Sequence, residues 1–258
     1  MRIVWTEPAV RDLAAARAYI AQDNARAADR QVERVVAAVE GLIRDLRPDA
    51  VSLTEVSTAW GQTGPLSEIS ERLGYRWVFV PALEYRGSPA TEGYGNALLT
   101  RLPILGVQQW RVHSPERYVN TEPTEPRTVA LARLDVAGTP VWVGSTHLPA
   151  SRDDERATAL ARLGTLLKQL GTPWLVCGDF NTRVSTWRDD LPAGVTVVPR
   201  WRRATFPGRH PVRAIDYGLA STGLQTRGRV LRARGSDHRA IFVTAALGGA
   251  APARPPRA

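Results

Sequence analysis

Short apolar segments that run into a polar or charged side chain constrain the fold of this chain more than any other feature of its sequence. Nine segments are predicted to be strands from their alternating or continuous apolar residues: 2–6, 49–56, 76–80, 96–100, 128–136, 141–148, 174–181, 214–221 and 238–244. Several of them carry side chains that an apolar core does not accept: Glu55, His147, Asp179, Asn181 and Asp216. A sheet built from such strands presents polar ligands at one of its edges.

Helical periodicity accompanies these strands. Apolar side chains recur at three- and four-residue steps over 32–43 and 160–170, and a weaker pattern covers 8–21. Pro48 and Gly171 are expected to end the first two of these helices. Hairpins mixed with strand–helix–strand units predict an α/β fold, with a mixed sheet or two packed sheets and helices outside.

The length of 258 residues suits one large domain or two small ones. We predict one domain over residues 1–247, followed by a flexible tail over 248–258 that lacks an apolar period. The single cysteine excludes an internal disulfide framework and a zinc site built on cysteines. The chain starts without a signal-peptide pattern and contains no apolar run long enough to span a bilayer, so we expect a cytoplasmic monomer.

Positive charge is concentrated near the carboxyl end of the chain. Residues 200–239 contain ten arginines and two acids, a formal charge of +8 out of +9 for the whole chain. Such a stretch attracts polyanions and phosphate-bearing ligands, and Arg202 and Arg203 are candidate substrate contacts within it. A solvated arginine-rich face is an equally open interpretation, because 33 of the 34 basic residues in the chain are arginine.

The polar side chains at the strand ends indicate a class of chemistry. Carboxylates and carboxamides are hard oxygen ligands that suit Mg²⁺ or Mn²⁺. Histidines beside them suit acid–base work or donation to a phosphate, and Asp237 and His238 lie at the start of the last predicted strand. His113 and His210 lie in no motif and are interpreted as ordinary histidines.

Six ordered motifs resemble the endonuclease/exonuclease/phosphatase (DNase-I-like) superfamily over residues 40–246. They are L-T-E-V (53–56), G-N-A-L-L-T-R-L-P-I (95–104), T-H-L (146–148), G-D-F-N (178–181), I-D-Y (215–217) and S-D-H (236–238). The resemblance implies a four-layer α/β sandwich of two packed mixed sheets flanked by helices.

The resemblance also implies a catalytic role for five of these residues. Asp179 resembles the aspartate that activates or orients the attacking water, and Asn181 the asparagine that helps to hold that water and the phosphate. His238 is similar to the histidine that contacts the scissile phosphate, and Asp216 to the aspartate that orients this histidine. A structural pairing of Asp216 with an arginine is the alternative. His147 resembles the histidine that donates to a phosphate oxygen.

Three further residues complete the implied site. Glu55 resembles the metal-binding glutamate, and Asp237 a second carboxylate on the metal side, for Mg²⁺ or Mn²⁺. Asn96 resembles a contact on the phosphate side, or it fixes a loop. Three aromatic residues near the arginines could stack on bases, but packing is the simpler role: Trp187, Trp201 and Phe206.

The first residues depart from the superfamily pattern. The family opens with a strand that ends in an asparagine, whereas here the strand reads M-R-I-V-W-T-E-P and Glu7 falls near that position. Residues 1–42 are instead similar to the start of RelE/ParE-type toxins, with one strand and a helical hairpin. We therefore interpret residues 1–46 as an atypical, toxin-like lead into the main domain.

Three functions follow from these patterns. The first is a divalent-metal-dependent phosphodiesterase or nuclease that hydrolyses a phosphodiester with metal-activated water. Its substrate bears phosphate, with nucleic acid as one candidate. The second is a phosphatase of lipid or small phosphorylated substrates. The third is a catalytically weakened binding protein or a toxin-like chimera, which the missing asparagine favours.

Overall fold

Twelve strands and three α-helices make up most of the described residues of the protein, whose structure is a computed structural model. The structure describes residues 2–6, 33, 36–57, 65–84, 93–115, 125–150, 152–171, 173–199, 203–232 and 236–255. The helices are α1 (36–46), α2 (Pro65–Leu73) and α3 (Asp153–Gln169). Two single-turn 3₁₀ helices cover Val184–Thr186 and Arg188–Asp190.

The strands form two mixed sheets of six. The first contains β1 (Arg2–Thr6), β2 (Ala50–Ser57), β3 (Arg76–Glu84), β4 (Gly93–Thr100), β11 (Leu224–Val230) and β12 (Ile241–Leu247), in the order β11-β12-β1-β2-β4-β3. The second contains β5 (Ile104–His113), β6 (Arg127–Val136), β7 (Thr139–His147), β8 (Trp174–Asp179), β9 (Thr196–Val198) and β10 (Asp216–Ala220), in the order β5-β6-β7-β8-β10-β9. Each sheet has one parallel pair, β1–β2 and β7–β8.

Three apolar clusters separate four layers. The central cluster lies between the sheets and includes Val80 and Leu98 from the first and Val143 and Leu175 from the second. Helices α1 and α2 cover the outer face of the first sheet, and α3 covers that of the second. The predicted four-layer sandwich of two packed sheets is confirmed.

Successive side chains along the inner strands pack alternately into two different apolar clusters. In β6, Val129 and Leu131 pack towards α3, whereas Ala130 and Ala132 belong to the central cluster. Both faces of the strand are buried over residues 127–132, which explains why its sequence is apolar from Val129 to Ala132. The same alternation holds for β2, where Val51 packs towards the helices.

The predicted strands are found with small shifts of their ends, and four elements were missed. These are α2, β5, β9 and β11. Three of them are strands whose sequences lack a continuous apolar pattern, because β5, β9 and β11 lie at or beside the edges of the sheets and are partly exposed. Strand β1 pairs with β2 and β12, so it belongs to the main sheet. The helix predicted over 8–21 lies outside the described residues. No helix among those described is long and apolar enough to cross a membrane.

Gly178 is fixed by close contact between β7 and β8. A Cβ atom at this position would overlap the backbone oxygen of Thr146 on β7. We expect Gly178→Ala to lower the free energy of unfolding by about 3 kcal/mol, because two paired strands in a buried sheet cannot separate locally. Urea denaturation followed by circular dichroism measures this change.

Gly171→Ala is the matched control, because a Cβ atom there meets nothing within 4 Å. Its expected effect on the free energy of unfolding is below about 0.5 kcal/mol. Equal effects of the two alanines would contradict the close approach of the strands.

Candidate active site

The polar side chains predicted at the strand ends meet at one edge of the two sheets. Strands β7 and β8 are parallel, and their last residues, His147 and Asp179, are partners in the register. Asp216 begins β10 directly opposite Asp179. His238 precedes β12, whose first residues lie beside the end of β1. Because carboxyl ends of parallel strands share an edge, the topology itself brings these groups together.

Asp179, Asp216 and His238 form a buried cluster. One ligand atom from each of them lies within 4.8 Å of the other two. The Nδ1 atom of His238 lies 2.9 Å from Oδ2 and 3.1 Å from Oδ1 of Asp216. The three residues are 2%, 1% and 6% exposed, in that order. The predicted pairing of Asp216 with the histidine, rather than with an arginine, is the arrangement in the structure.

Burial and charge act against each other in this cluster. Burial, followed by the negative charge of Asp179, raises the pKa of Asp216 to about 7. Burial alone lowers the pKa of His238, but the hydrogen bond and the charge of Asp216 outweigh it, so this pKa lies above its ordinary value. The pair therefore holds one proton near neutral pH, in position for a negatively charged ligand.

The pKa of His238 depends on the charge of Asp216, and this dependence gives a direct prediction. In Asp216→Asn the neutral amide removes the charge of Asp216, so the pKa of His238 is expected to fall, because burial still lowers it and only the charges of Asp179 and Asp237 remain to raise it. Imidazole NMR titrations of the wild type and the variant in EDTA measure it. A pKa of His238 that is equal in both proteins would contradict the pairing.

His147 lies in a second group of buried polar side chains. Its Nδ1 atom is 2.9 Å from Nη1 of Arg127 and 3.3 Å from Oε1 of Glu55. Its Nε2 atom is 3.0 Å from Nδ2 of Asn181 and 3.6 Å from Oδ2 of Asp179. The imidazole ring thus lies between two carboxylates, and it links the end of the first sheet to the end of the second.

Two of these residues have left-handed backbone conformations. Glu55 has φ 56° and Asn181 has φ 53°. Between the pairs Leu53–Ala97 and Val56–Gly95, two residues of β2 face the single residue Asn96, so Glu55 is in a β-bulge. Such strain is uncommon for a glutamate and is concentrated at functional sites. The bulge is what places this carboxylate beside His147.

Asn181 is held by three hydrogen bonds. Its backbone N–H donates to Oδ1 of Asp179 at 2.7 Å, and its Nδ2 donates to the Leu148 oxygen at 2.9 Å. The contact with His147 is the third. Phe180, which lies between Asp179 and Asn181 in the sequence, stacks on Tyr217, with ring centroids 4.1 Å apart. Phe180 therefore anchors the G-D-F-N segment in the core and fixes the two polar residues on either side of it.

Arg127 is a site residue that sequence reasoning missed. It is 4% exposed, and its Nη2 atom lies 2.6 Å from Oε1 of Glu125. A buried arginine beside a histidine adds a fixed positive charge to the site. The only sequence signal is an arginine that opens the otherwise apolar β6, whose first six residues are all buried.

The remaining predicted residues lie outside the buried cluster or outside the described part of the chain. Asn96 is buried, and its Nδ2 donates to the Thr128 oxygen at 2.8 Å, beside Arg127. Asp237 is exposed and is not one of the three clustered residues. Arg203 is exposed, whereas Arg202 and Glu7 lie outside the described residues.

Two of the aromatic residues near the arginines, Trp187 and Phe206, pack against other aromatic rings of the protein. Trp187 is 3% exposed and donates from Nε1 to the Tyr217 hydroxyl at 2.8 Å. Phe206 lies with its ring centroid 4.6 Å from that of His238. The packing role predicted for Trp187 therefore replaces the stacking alternative, and Trp201 lies outside the described residues.

The donor set suits a divalent cation. Glu55, Asp179 and Asp216 are buried carboxylates, each 5% exposed or less. Burying several negative charges is costly unless positive charge compensates them. His238 pairs with Asp216, while Glu55 and Asp179 approach opposite nitrogens of His147. Their hard oxygen atoms are the ligands that Mg²⁺ or Mn²⁺ prefers.

Comparison with known protein families gives one match that spans most of the chain. The model of the Endonuclease/Exonuclease/phosphatase family matches residues 22–238. A search of curated proteins gives no match. The family match begins within the segment that resembles a toxin, and neither comparison supports a RelE/ParE-like start.

Solved structures share the fold over nearly the whole chain. The mannosyl-6-phosphatase of Bacteroides thetaiotaomicron is 15% identical, with a TM-score of 0.72 over 96% of this chain and 100% of that one. A humanized TDP2 of D. rerio is 16% identical, with a TM-score of 0.68 over 96% and 99%. An endonuclease/exonuclease/phosphatase protein from Beutenbergia cavernae is 22% identical, with a TM-score of 0.61 over 96% and 72%.

Proposed function

The chain belongs to the endonuclease/exonuclease/phosphatase family, and from this premise we propose that it is a divalent-metal-dependent phosphodiesterase or nuclease. Enzymes of this family hydrolyse phosphoesters. The observation that supports activity in this chain is the buried cluster of Asp179, Asp216 and His238. Burying these charged side chains costs folding free energy, and a protein that only binds its ligand does not need them.

The residues of the cluster divide the work of hydrolysis. Asp179 accepts a hydrogen bond, and then a proton, from the water whose oxygen attacks phosphorus. His238, kept protonated by Asp216, donates to a phosphate oxygen and stabilises the charge that builds up there. The bond from phosphorus to the leaving oxygen breaks, and that oxygen takes up a proton from solvent water.

A second set of groups positions the phosphate. Asn181 donates from its amide, and His147 lies within hydrogen-bond reach of it. Arg127 adds a positive charge behind the imidazole of His147. These donors are held by contacts within the protein before substrate arrives, so little reorganisation accompanies the reaction.

Glu55 is the buried carboxylate that would hold the cation, and Asp237 is a candidate from the exposed side. A bound Mg²⁺ or Mn²⁺ supplies charge neutralisation at the phosphate and lowers the pKa of water. We propose Mg²⁺ or Mn²⁺ as this cation.

A phosphatase of small phosphorylated substrates is the second candidate. The similarity in fold to a mannosyl-6-phosphatase, with a TM-score of 0.72, favours it. The concentration of arginine in 200–239 favours a diester in a polyanion instead. The third candidate, a binding protein without activity, remains the outcome if no phosphoester is hydrolysed.

A substrate panel separates the candidates. The purified chain is incubated in Mg²⁺ or Mn²⁺ with bis(p-nitrophenyl) phosphate, p-nitrophenyl phosphate, inositol phosphates, and DNA and RNA oligonucleotides. We expect the diesters to be hydrolysed faster than the monoesters. Faster hydrolysis of the monoesters would favour the phosphatase, and hydrolysis of none would overturn both enzymatic functions.

A further inference from the structure

A basic pocket opens beside the candidate active site. It is lined by residues 208–212 together with Arg232 and Arg239, and its volume is about 710 Å³. Three of the lining side chains are arginines and one is a histidine, and none of the lining residues is acidic. This pocket contains none of the residues of the candidate active site.

A turn fixed to the S-D-H segment forms one wall of this pocket. The turn runs from Phe206 to Arg213, which are joined by a hydrogen bond of 2.8 Å from the Arg213 N–H to the Phe206 oxygen. The N–H of Gly208 donates to the Asp237 oxygen. Nε of Arg239 donates to the Gly208 oxygen at 2.7 Å. The turn is therefore held against the residues on either side of His238.

The pocket and the catalytic cluster share a boundary. Phe206, which begins the turn, lies against the ring of His238, with centroids 4.6 Å apart. The turn that forms the wall of the pocket is therefore in direct contact with His238.

Two of the arginines of this pocket, Arg209 and Arg232, are exposed, and neither forms an ion pair with any residue that the structure describes. Arg239 is half-buried and is oriented by the turn. Guanidinium groups bind phosphate oxygens in pairs of hydrogen bonds, which makes an uncompensated arginine cluster a phosphate-binding surface.

We propose that this pocket binds a second phosphate of the substrate, the one next to the scissile phosphodiester in a nucleic-acid strand. The proposal rests on the proposed function and names the substrate class of that same site. A strand is favoured because the pocket is open, larger than one phosphate requires, and adjoins the reacting phosphate. Val212, which is 67% exposed, adds an apolar surface for a sugar or a base.

Binding of a single strand tests the proposal without relying on turnover. The probe is a fluorescein-labelled 12-nucleotide single-stranded DNA, and all proteins carry Asp179→Asn so that it is not cut. Adding Arg209→Gln and Arg232→Gln is expected to weaken binding about 10-fold at low salt and to reduce the slope of log affinity against log salt by about 1.4, or 0.7 for each lost contact. Arg133→Gln with Arg162→Gln, two exposed arginines on β6 and α3, is the matched control.

Hydrolysis then separates this proposal from the proposed function. With Asp179 intact, Arg209→Gln/Arg232→Gln is expected to raise KM for the oligonucleotide about 10-fold and to leave hydrolysis of bis(p-nitrophenyl) phosphate, which has one phosphate, within about twofold. If no substrate is hydrolysed, the proposed function fails, while the binding comparison still decides the pocket.

Two results would overturn the proposal. One is an affinity and a salt slope for the strand that do not differ between the pocket variant and the control. The other is a loss confined to a small bisphosphate such as inositol bisphosphate, with the oligonucleotide unaffected.

Discussion

Replacing Asp179 with asparagine is expected to lower metal-dependent hydrolysis of bis(p-nitrophenyl) phosphate by about 10³-fold. The amide cannot take a proton from the attacking water, and it removes one of the two buried carboxylates beside His147. The fold is expected to survive, because an amide oxygen at the same position can still accept the hydrogen bond from the Asn181 N–H, 2.7 Å away. Steady-state kinetics and a thermal unfolding curve measure the two effects.

Asp189→Asn is the control for this prediction. Asp189 is an exposed acid further along the chain, and its substitution is expected to leave the rate within about twofold. A rate for Asp179→Asn above one tenth of the wild-type rate, with the fold intact, would contradict the role given to this carboxylate.

Replacing His238 with glutamine is expected to lower the rate of the same reaction by about 10²- to 10³-fold. Glutamine can donate a hydrogen bond but carries no charge, so it cannot stabilise the charge that builds up on the phosphate. Asp216→Asn acts through the same group, because it lowers the pKa of His238 and so weakens the hold of this imidazole on its proton. The loss is therefore expected mainly in kcat.

Combining the two substitutions tests whether they act as one unit. In His238→Gln/Asp216→Asn the loss of rate is expected to be close to that of His238→Gln alone, because an aspartate that acts only through the histidine has nothing left to orient. Losses that multiply would show that Asp216 has a separate role. The control for removing a histidine is His210→Gln, because His210 is exposed and lies outside the cluster.

The fold could be predicted where burial imposes a pattern on the sequence. Strands β2 and β8 and the first six residues of β6 are buried on both faces, and these strands were identified within one or two residues of their ends. Strands β5 and β11 were missed because partial exposure admits glutamine, glycine and arginine. Helix α2 has only nine residues, too few for a periodicity to stand out.

The site could be predicted only in part. Its carboxylates and histidines were identified because they end apolar strands within recognisable motifs, as in G-D-F-N and S-D-H. Arg127 was missed because an arginine at the start of a strand is common on a protein surface, whereas here its side chain contacts Glu125 and His147. The basic pocket was not predicted, because the turn after Phe206 brings Arg209 close to arginines more than twenty residues further along the chain. Their spacing in the sequence does not indicate this contact.

The most direct test of the account is metal-dependent hydrolysis of a phosphodiester by the wild-type chain. Hydrolysis of bis(p-nitrophenyl) phosphate is measured in Mg²⁺, in Mn²⁺, after addition of EDTA and after restoring the metal, with Asp179→Asn measured in parallel to exclude a contaminating enzyme. The account predicts a rate that appears with metal, disappears with EDTA, returns with metal and is absent in the variant. A rate that is insensitive to EDTA, or no hydrolysis in either metal, would contradict it.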